Sequence, residues 1–262
     1  MINLKTSHEI ELMAEAGAKL GRVVQDLRAA CQVGVRTEEL DRLADRRIRD
    51  AGARPGFLGY HGYSKSICVS INDEAVHGIP GKRRIKDGDL VSLDLGLILE
   101  GFWADMGCTV LVGKVSPEGR RLVEVTDRCL ELAIEQAQPG NHLGDISAAV
   151  QHHAEANGFS VIRQFVGHGI GRNMHEDPQV PNFGAEGTGP ELKPGMTLAI
   201  EPMINQGTEE VYIKADGWTV CTADGALSSY VEHTVAITKD GPRVLTAVGD
   251  RNGHAARGAA GR

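Results

Sequence analysis

The chain has 262 residues, 41% of them hydrophobic and 24% charged, which suits a globular core and excludes a disordered or fibrous chain. A formal charge of -7 argues against a nucleic-acid binder, which needs a basic face. The five cysteines, Cys31, Cys68, Cys108, Cys129 and Cys221, form no C-x-x-C pair, which speaks against a zinc knuckle or disulfide framework and for reduced thiols.

The N-terminus carries no apolar signal core and no run reaches membrane-spanning length, so a soluble cytoplasmic protein is expected. Thr6-x-x-Glu9 is a capping-box pattern before IELMAEAGAKLGRVVQDLRAAC, whose apolar residues recur at helical spacing. Gly34 breaks that helix, and Thr37 is placed to cap a second one running to about Gly52. A Gly- and aromatic-rich loop leads to the strand-like SICVSI and an irregular stretch carrying His77. Lys86-Asp-Gly88-Asp then turns the chain into residues 90–112, LVSLDLGLILEGFWADMGCTVLV, two apolar strands with one aspartate in each.

A two-residue turn at Glu100-Gly101 pairs Asp94 with Gly107 and leaves Asp105 as its diagonal neighbour. A turn centred one residue earlier sets Asp94 directly opposite Asp105. Either register keeps both carboxylates on one face, because strand side chains alternate with period two. Two carboxylates on one face of an apolar hairpin repel and are costly to desolvate, so something positive is expected between them.

Ser116-Pro117-Glu118 starts a third helix, with Pro at the first helical position, ending at Pro139-Gly140. A fourth runs from about Gly144 to Asn157-Gly158. VIRQFVGHGIG reads as a strand and NMHEDPQVPNFG as a loop; MTLAIEPMI, EVYIKADGWTVCTADG and SSYVEHTVAIT are further strand-like pieces. The tail 249–262 has almost no apolar side chain to bury and is expected to be disordered.

The two parts of the chain repeat. Gly34, Leu40 and Gly52 have counterparts 106 residues later in Gly140, Ile146 and Gly158. KDGDLVSLDLG aligns with KPGMTLAIEPM at an offset of 107, which sets Asp94 opposite Glu201. The expectation is an α+β fold of two pseudo-symmetric helix-helix-strand halves, about 6–112 and 116–240, around a central antiparallel sheet. One domain over 1–248 is expected, since neither half alone completes a site.

Asp94, Asp105, His168, Glu201 and Glu232 interrupt apolar or glycine-rich stretches where a plain core would avoid them. Taken singly, each is more often a structural or hydrogen-bonded residue than a ligand; together they make an oxygen-rich set with one nitrogen. That set suits two manganese, iron or cobalt ions better than a thiolate-rich structural zinc site. With the ions about 3.5–4 Å apart, Asp105 and Glu232 could bridge them, Asp94 completing one shell and His168 with Glu201 the other.

GYHGYSKSICVSINDEAVHGIP, SLDLG, WADMGCT, GHGIGRNMHEDP, AIEPM, DGWTV and EHT, in this order and spacing, closely resemble the type I methionine aminopeptidases. The resemblance is to the short form without an N-terminal extension. It implies the pita-bread fold and removal of the initiator methionine from nascent chains, by hydrolysis with a water or hydroxide between two divalent ions. Manganese, iron, cobalt and zinc all remain open for those ions. The five ligand positions carry over onto Asp94, Asp105, His168, Glu201 and Glu232, with Glu201 also taking and passing on a proton. His175 is implied as the donor to the developing oxyanion, and His77 as a contact to the scissile amide or the following residue. The implied methionine pocket comprises Tyr60, Tyr63, Cys68 and Trp218, with Phe57 and Met174 beside them.

Three positions depart from the usual pattern. Phe57 stands where a small cysteine is common, Met174 where phenylalanine is frequent, and Tyr230-Val231 precedes Glu232 where an aromatic commonly adjoins the glutamate. They bear on pocket shape rather than on the five ligands. A monomer is expected, with transient ribosome association implied only by the family's task, and no membrane or nucleic-acid partner. The rival readings are an Xaa-Pro aminopeptidase or dipeptidase of the same fold, and an inactive pita-bread binding protein.

Overall fold

The computed structural model describes residues 1–248; the expected disordered tail, 249–262, lies outside the described residues. Helix α1 (Ser7–Ala30) opens with the expected capping box. The Thr6 hydroxyl accepts from the Glu9 amide at 3.3 Å, and the Glu9 carboxylate accepts from the Thr6 amide at 3.0 Å. Helix α2 (Thr37–Asp50) begins differently from expectation, since Arg36 and not Thr37 is its N-cap. The Thr37 hydroxyl is spent on Gly81 instead, accepting from its amide at 2.8 Å and donating to its carbonyl at 3.1 Å. Helices α3 (Pro117–Gln136) and α4 (Leu143–Ala156) follow, α3 capped by the Ser116 hydroxyl.

A nine-stranded sheet carries the centre of the molecule. Its strands are β1 (Arg54–Pro55), β2 (Cys68–Ile71), β3 (Leu90–Leu99), β4 (Phe102–Leu111), β5 (Gly167–Gly169), β6 (Glu176–Val180), β7 (Thr197–Ile200), β8 (Glu232–Thr238) and β9 (Gly241–Val244). The order is β1-β3-β4-β8-β7-β5-β6, with β2 also paired to β3 and β9 to β8, every pairing antiparallel. The β3–β4 turn takes the two-residue form: Leu99 pairs with Phe102, and Glu100 and Gly101 both have positive φ, 50° and 78°. Asp94 consequently pairs with Gly107 and Gly96 with Asp105.

Period two then separates the faces. Val91, Leu93, Leu95 and Leu97 of β3 pack with Ala104 and Cys108 of β4 against Leu20, Val24, Leu27, Leu40 and Ile48 of α1 and α2. Asp94 and Asp105 point the other way. In the second half, Leu198, Ile200, Val235 and Ile237 of β7 and β8 pack against Leu122, Leu130, Ile146 and Val150 of α3 and α4. Each half thus covers its strands with its own helix pair, and β4 pairs with β8 across the junction. All five cysteines are buried free thiols.

Four expected segments are divided differently. VIRQFVGHGIG splits: Ser160–Val161 pairs with Met203–Asn205 in a small sheet, whereas Gly167–Gly169 joins the large one. The stretch expected as a loop contains strand β6. MTLAIEPMI breaks at Glu201-Pro202, because Pro202 has no amide to donate and the chain passes from β7 to the small sheet. SSYVEHTVAIT breaks at Val231, where Ser228–Tyr230 serves the small sheet and Glu232 starts β8.

Candidate metal centre

Sheet register brings four of the five polar residues together, and Glu201 joins them from just past the end of a strand. Asp94 pairs with Gly107, and Gly107 pairs with Glu232, so these three lie in one row across β3, β4 and β8. Two residues along, Thr234 pairs with Ala199 and Ala199 with His168, in β8, β7 and β5. Asp105 shares that second row: its backbone amide donates to the Thr234 hydroxyl at 3.0 Å and its carbonyl accepts from it at 2.8 Å. Glu201 follows β7 two residues after Ala199 and so returns to the same face. Asp94 and Asp105 come from one half; His168, Glu201 and Glu232 come from the other.

All five line a cavity of about 100 Å³ together with Val76, His77, Phe165, Met174, His175, Met203 and Tyr230. Asp105, His168 and Glu232 each offer a donor atom within 4.8 Å of the other two. Glu201 Oε1 lies 3.7 Å from His168 Nε2. Asp94 stands outside the tight trio, at the far end of its row.

The electrostatics of this cluster is that of a cation site. Among the described residues no lysine or arginine lines the cavity, and Asp94 Oδ1 and Glu232 Oε1 are buried with no hydrogen-bond partner. Burial first, then mutual repulsion, pushes the Asp94, Glu201 and Glu232 carboxyls well above the usual range. Burial lifts Asp105 to about 7. Unpaired buried carboxylate oxygens are costly, and divalent cations with oxygen-rich shells answer the cost. Burial also lowers His168 to about 4, which keeps its ring neutral. Its Nδ1 faces the Gly169 carbonyl at 2.9 Å; a carbonyl only accepts, so Nδ1 carries the proton and Nε2 keeps the lone pair a metal needs. The residues present fit divalent metal.

His77 and His175 both line the cavity. His77 sits in the left-handed region (φ 59°) with its ring edge-on to Phe165, and burial lowers it to about 4. The His175 ring lies 4.3 Å from that of His168, centre to centre, and its Nδ1 is 2.6 Å from the Tyr60 hydroxyl. Desolvation, with His61 nearby, lowers its pKa as well. The residues expected as a methionine pocket gather in one apolar cluster: Phe57, Tyr60, Tyr63, Cys68, Met174 and Trp218 pack with Trp103 and Ile79. Of these only Met174 lines the cavity itself. Cys68 is the β2 partner of Asp94, and Tyr63 packs edge-on to Trp218 at 4.9 Å.

Sequence reasoning passed over Tyr230 as a site residue. Its hydroxyl donates to Glu232 Oε2 at 2.6 Å, and its ring fills the hollow above Gly107, where a Cβ would meet Tyr230 Cε1 at 2.1 Å. A glycine inside an apolar strand marks such a close approach, so Gly107 was the available signal. Thr234, which joins β8 to Asp105, left no sequence signal at all.

The chain is similar to known proteins over nearly its whole length. Metallopeptidase family M24 matches residues 11–239. The methionine aminopeptidase of Clostridium perfringens is 50% identical over 248 residues, 95% of this chain and all of that one. The solved structure of methionine aminopeptidase from Thermotoga maritima superposes with a TM-score of 0.93 at 44% identity, covering 94% of this chain and 99% of that one. Prolidase from Pyrococcus furiosus shares the fold more distantly, with a TM-score of 0.75 at 25% identity; it matches 94% of this chain, which spans 66% of the prolidase. The two-half architecture around a curled antiparallel sheet is the pita-bread fold. The chain belongs to metallopeptidase family M24, among its methionine aminopeptidases.

Proposed function

We propose that this chain is a metal-dependent aminopeptidase that removes the N-terminal methionine of polypeptides, with Asp94, Asp105, His168, Glu201 and Glu232 holding two divalent cations. The observation that carries it is the sheet register, which delivers four acidic side chains and one neutral imidazole to one buried face with no basic residue among them. Bound cations would supply Lewis acidity toward the scissile carbonyl and a water of lowered pKa.

The chain's own groups do the rest. Glu201, at the break after β7, holds and passes a proton at its carboxylate. His175, with Nδ1 engaged by Tyr60, keeps Nε2 for the carbonyl oxygen as charge develops there. His77 contacts the scissile amide or the residue after methionine. Phe57, Tyr60, Tyr63, Cys68, Met174 and Trp218 surround the methionine side chain as one apolar wall. A single chain supplies every one of these groups, so no second chain is needed to complete the site, in keeping with the monomer expected from the sequence. Its substrates are nascent chains met in the cytoplasm as they leave the ribosome. Among the described residues no helix is long and apolar enough to cross a membrane.

The test is a metal-reconstituted assay on short peptides of Met-Gly and Xaa-Pro type. Release of methionine from the first set, with two metals bound per chain, is expected. Preferential cleavage before proline, or no hydrolysis with metal bound, overturns the reading.

A further inference from the structure

Tyr230 is the one cavity-lining group with an ionisable oxygen that the proposed reaction leaves unused. Its ring lies above Gly107, the residue that separates Asp94 from Glu232 in their shared row of the sheet. Its hydroxyl takes Glu232 Oε2 at 2.6 Å, so Oε1 is the oxygen of that carboxylate left without a partner. The backbone holding it is fixed from β4: the Thr109 hydroxyl donates to the Tyr230 carbonyl at 2.8 Å and accepts from its amide at 3.0 Å. Ser92 in turn engages Thr109 at 2.8 Å. The phenol is therefore a built part of the site, wedged on the Asp94 side.

The two cation positions are consequently unequal. Asp105, His168 and Glu232 offer donor atoms within 4.8 Å of one another, and Glu201 Oε1 lies 3.7 Å from His168 Nε2; Asp94 does not join them. We propose that Tyr230 sets this inequality: its hydroxyl stands between Asp94 and Glu232, so a first cation binds at Asp105, His168 and Glu232. A second cation, on the Asp94 side, must compete for the oxygen the phenol holds. A short hydrogen bond to a buried carboxylate is among the stronger kinds; it holds Glu232 Oε2, the oxygen the second cation needs, and leaves Oε1 to the first. This rests on the two-cation reading of the site.

The test is a titration of the metal-free protein with Mn2+, following free ion by electron paramagnetic resonance and heat by calorimetry. The native chain should show two classes of site. In Tyr230→Phe, which keeps the ring over Gly107, the second class should tighten by about ten- to a hundredfold while the first stays within about threefold. An unchanged second class, or equal weakening of both, overturns the proposal. So does a native chain with two equal sites. Should the variant fail to fold, the ultraviolet difference spectrum of the native chain decides. A tyrosine perturbation must accompany the second equivalent of Mn2+ and not the first, and the reverse order refutes it. A native chain that takes up no Mn2+ at all fails the two-cation reading instead, which keeps the two failures apart.

Discussion

Removing the charge of one of the five proposed ligands should stabilise the metal-free protein and abolish its response to metal. Asp105 is 2% exposed, and burial lifts its pKa from 3.8 to about 7. A carboxyl whose pKa is higher folded than unfolded binds its proton more tightly when folded. Stability from this group is thus fully present below about pH 4 and is lost as pH rises through about 7. Roughly three pKa units at about 1.4 kcal/mol each put the loss on the order of 4 kcal/mol at pH 8. Asp94, Glu201 and Glu232 are shifted in the same direction and add to it. Asp105→Asn deletes the charge at constant shape and keeps an Oδ1 to accept from the Met106 amide, a bond of 3.1 Å. Scanning calorimetry in chelator should therefore find metal-free Asp105→Asn more stable than its parent at pH 8, with up to roughly 8–16 °C in Tm, the gap narrowing through pH 5 and closing near pH 4. Adding Mn2+ should raise the parent's Tm and leave the variant's nearly unmoved. A metal-free parent that gains stability from pH 5 to 8, or a variant less stable than the parent at pH 8, refutes the electrostatic account of the site.

His175→Ala should lower kcat by roughly 100- to 1,000-fold while metal affinity by calorimetry stays within a few-fold; equal losses of both would remove its assignment as an oxyanion donor. Lys5 and Glu176 form an almost fully buried ion pair at the residue next to His175, and Gly171 leaves room for both side chains. Lys5→Met leaves the Glu176 carboxylate with the Asn173 amide, 3.2 Å away, but without its cation, and should cost about 1–3 kcal/mol in denaturant unfolding, with kcat falling and KM little changed. The pair variant Lys5→Met with Glu176→Gln should recover most of the stability, and additive losses would show that the two groups do not act together.

Much of this was legible in the sequence because the relevant interactions are local or periodic. The capping box of α1 lies within four residues, and the β3–β4 hairpin is closed by a turn whose two central residues set the register. From that register, Asp94 and Asp105 had to share a face. The 107-residue offset between KDGDLVSLDLG and KPGMTLAIEPM carried the same inference to Glu201. What was not legible is where the chain changes partners. An apolar run such as MTLAIEPMI or SSYVEHTVAIT looks the same whether it serves one sheet or two, since alternation reports burial and not the identity of the neighbouring strand.

Those changes of partner are where the second half's two acidic groups sit. Glu201 stands at the break before Pro202, and Glu232 directly follows the break at Val231. A strand leaving its sheet frees backbone and side chain from the regular ladder, letting a carboxylate lean into a cavity without giving up a cross-strand partner. The same passage carries Tyr230 from the small sheet over Gly107 and onto Glu232. Its position depends on three strands meeting, which no spacing along the chain encodes. One long hairpin thus sets Asp94 and Asp105, while Glu201, Glu232 and the phenol of Tyr230 that acts on the site come from the places where strands end.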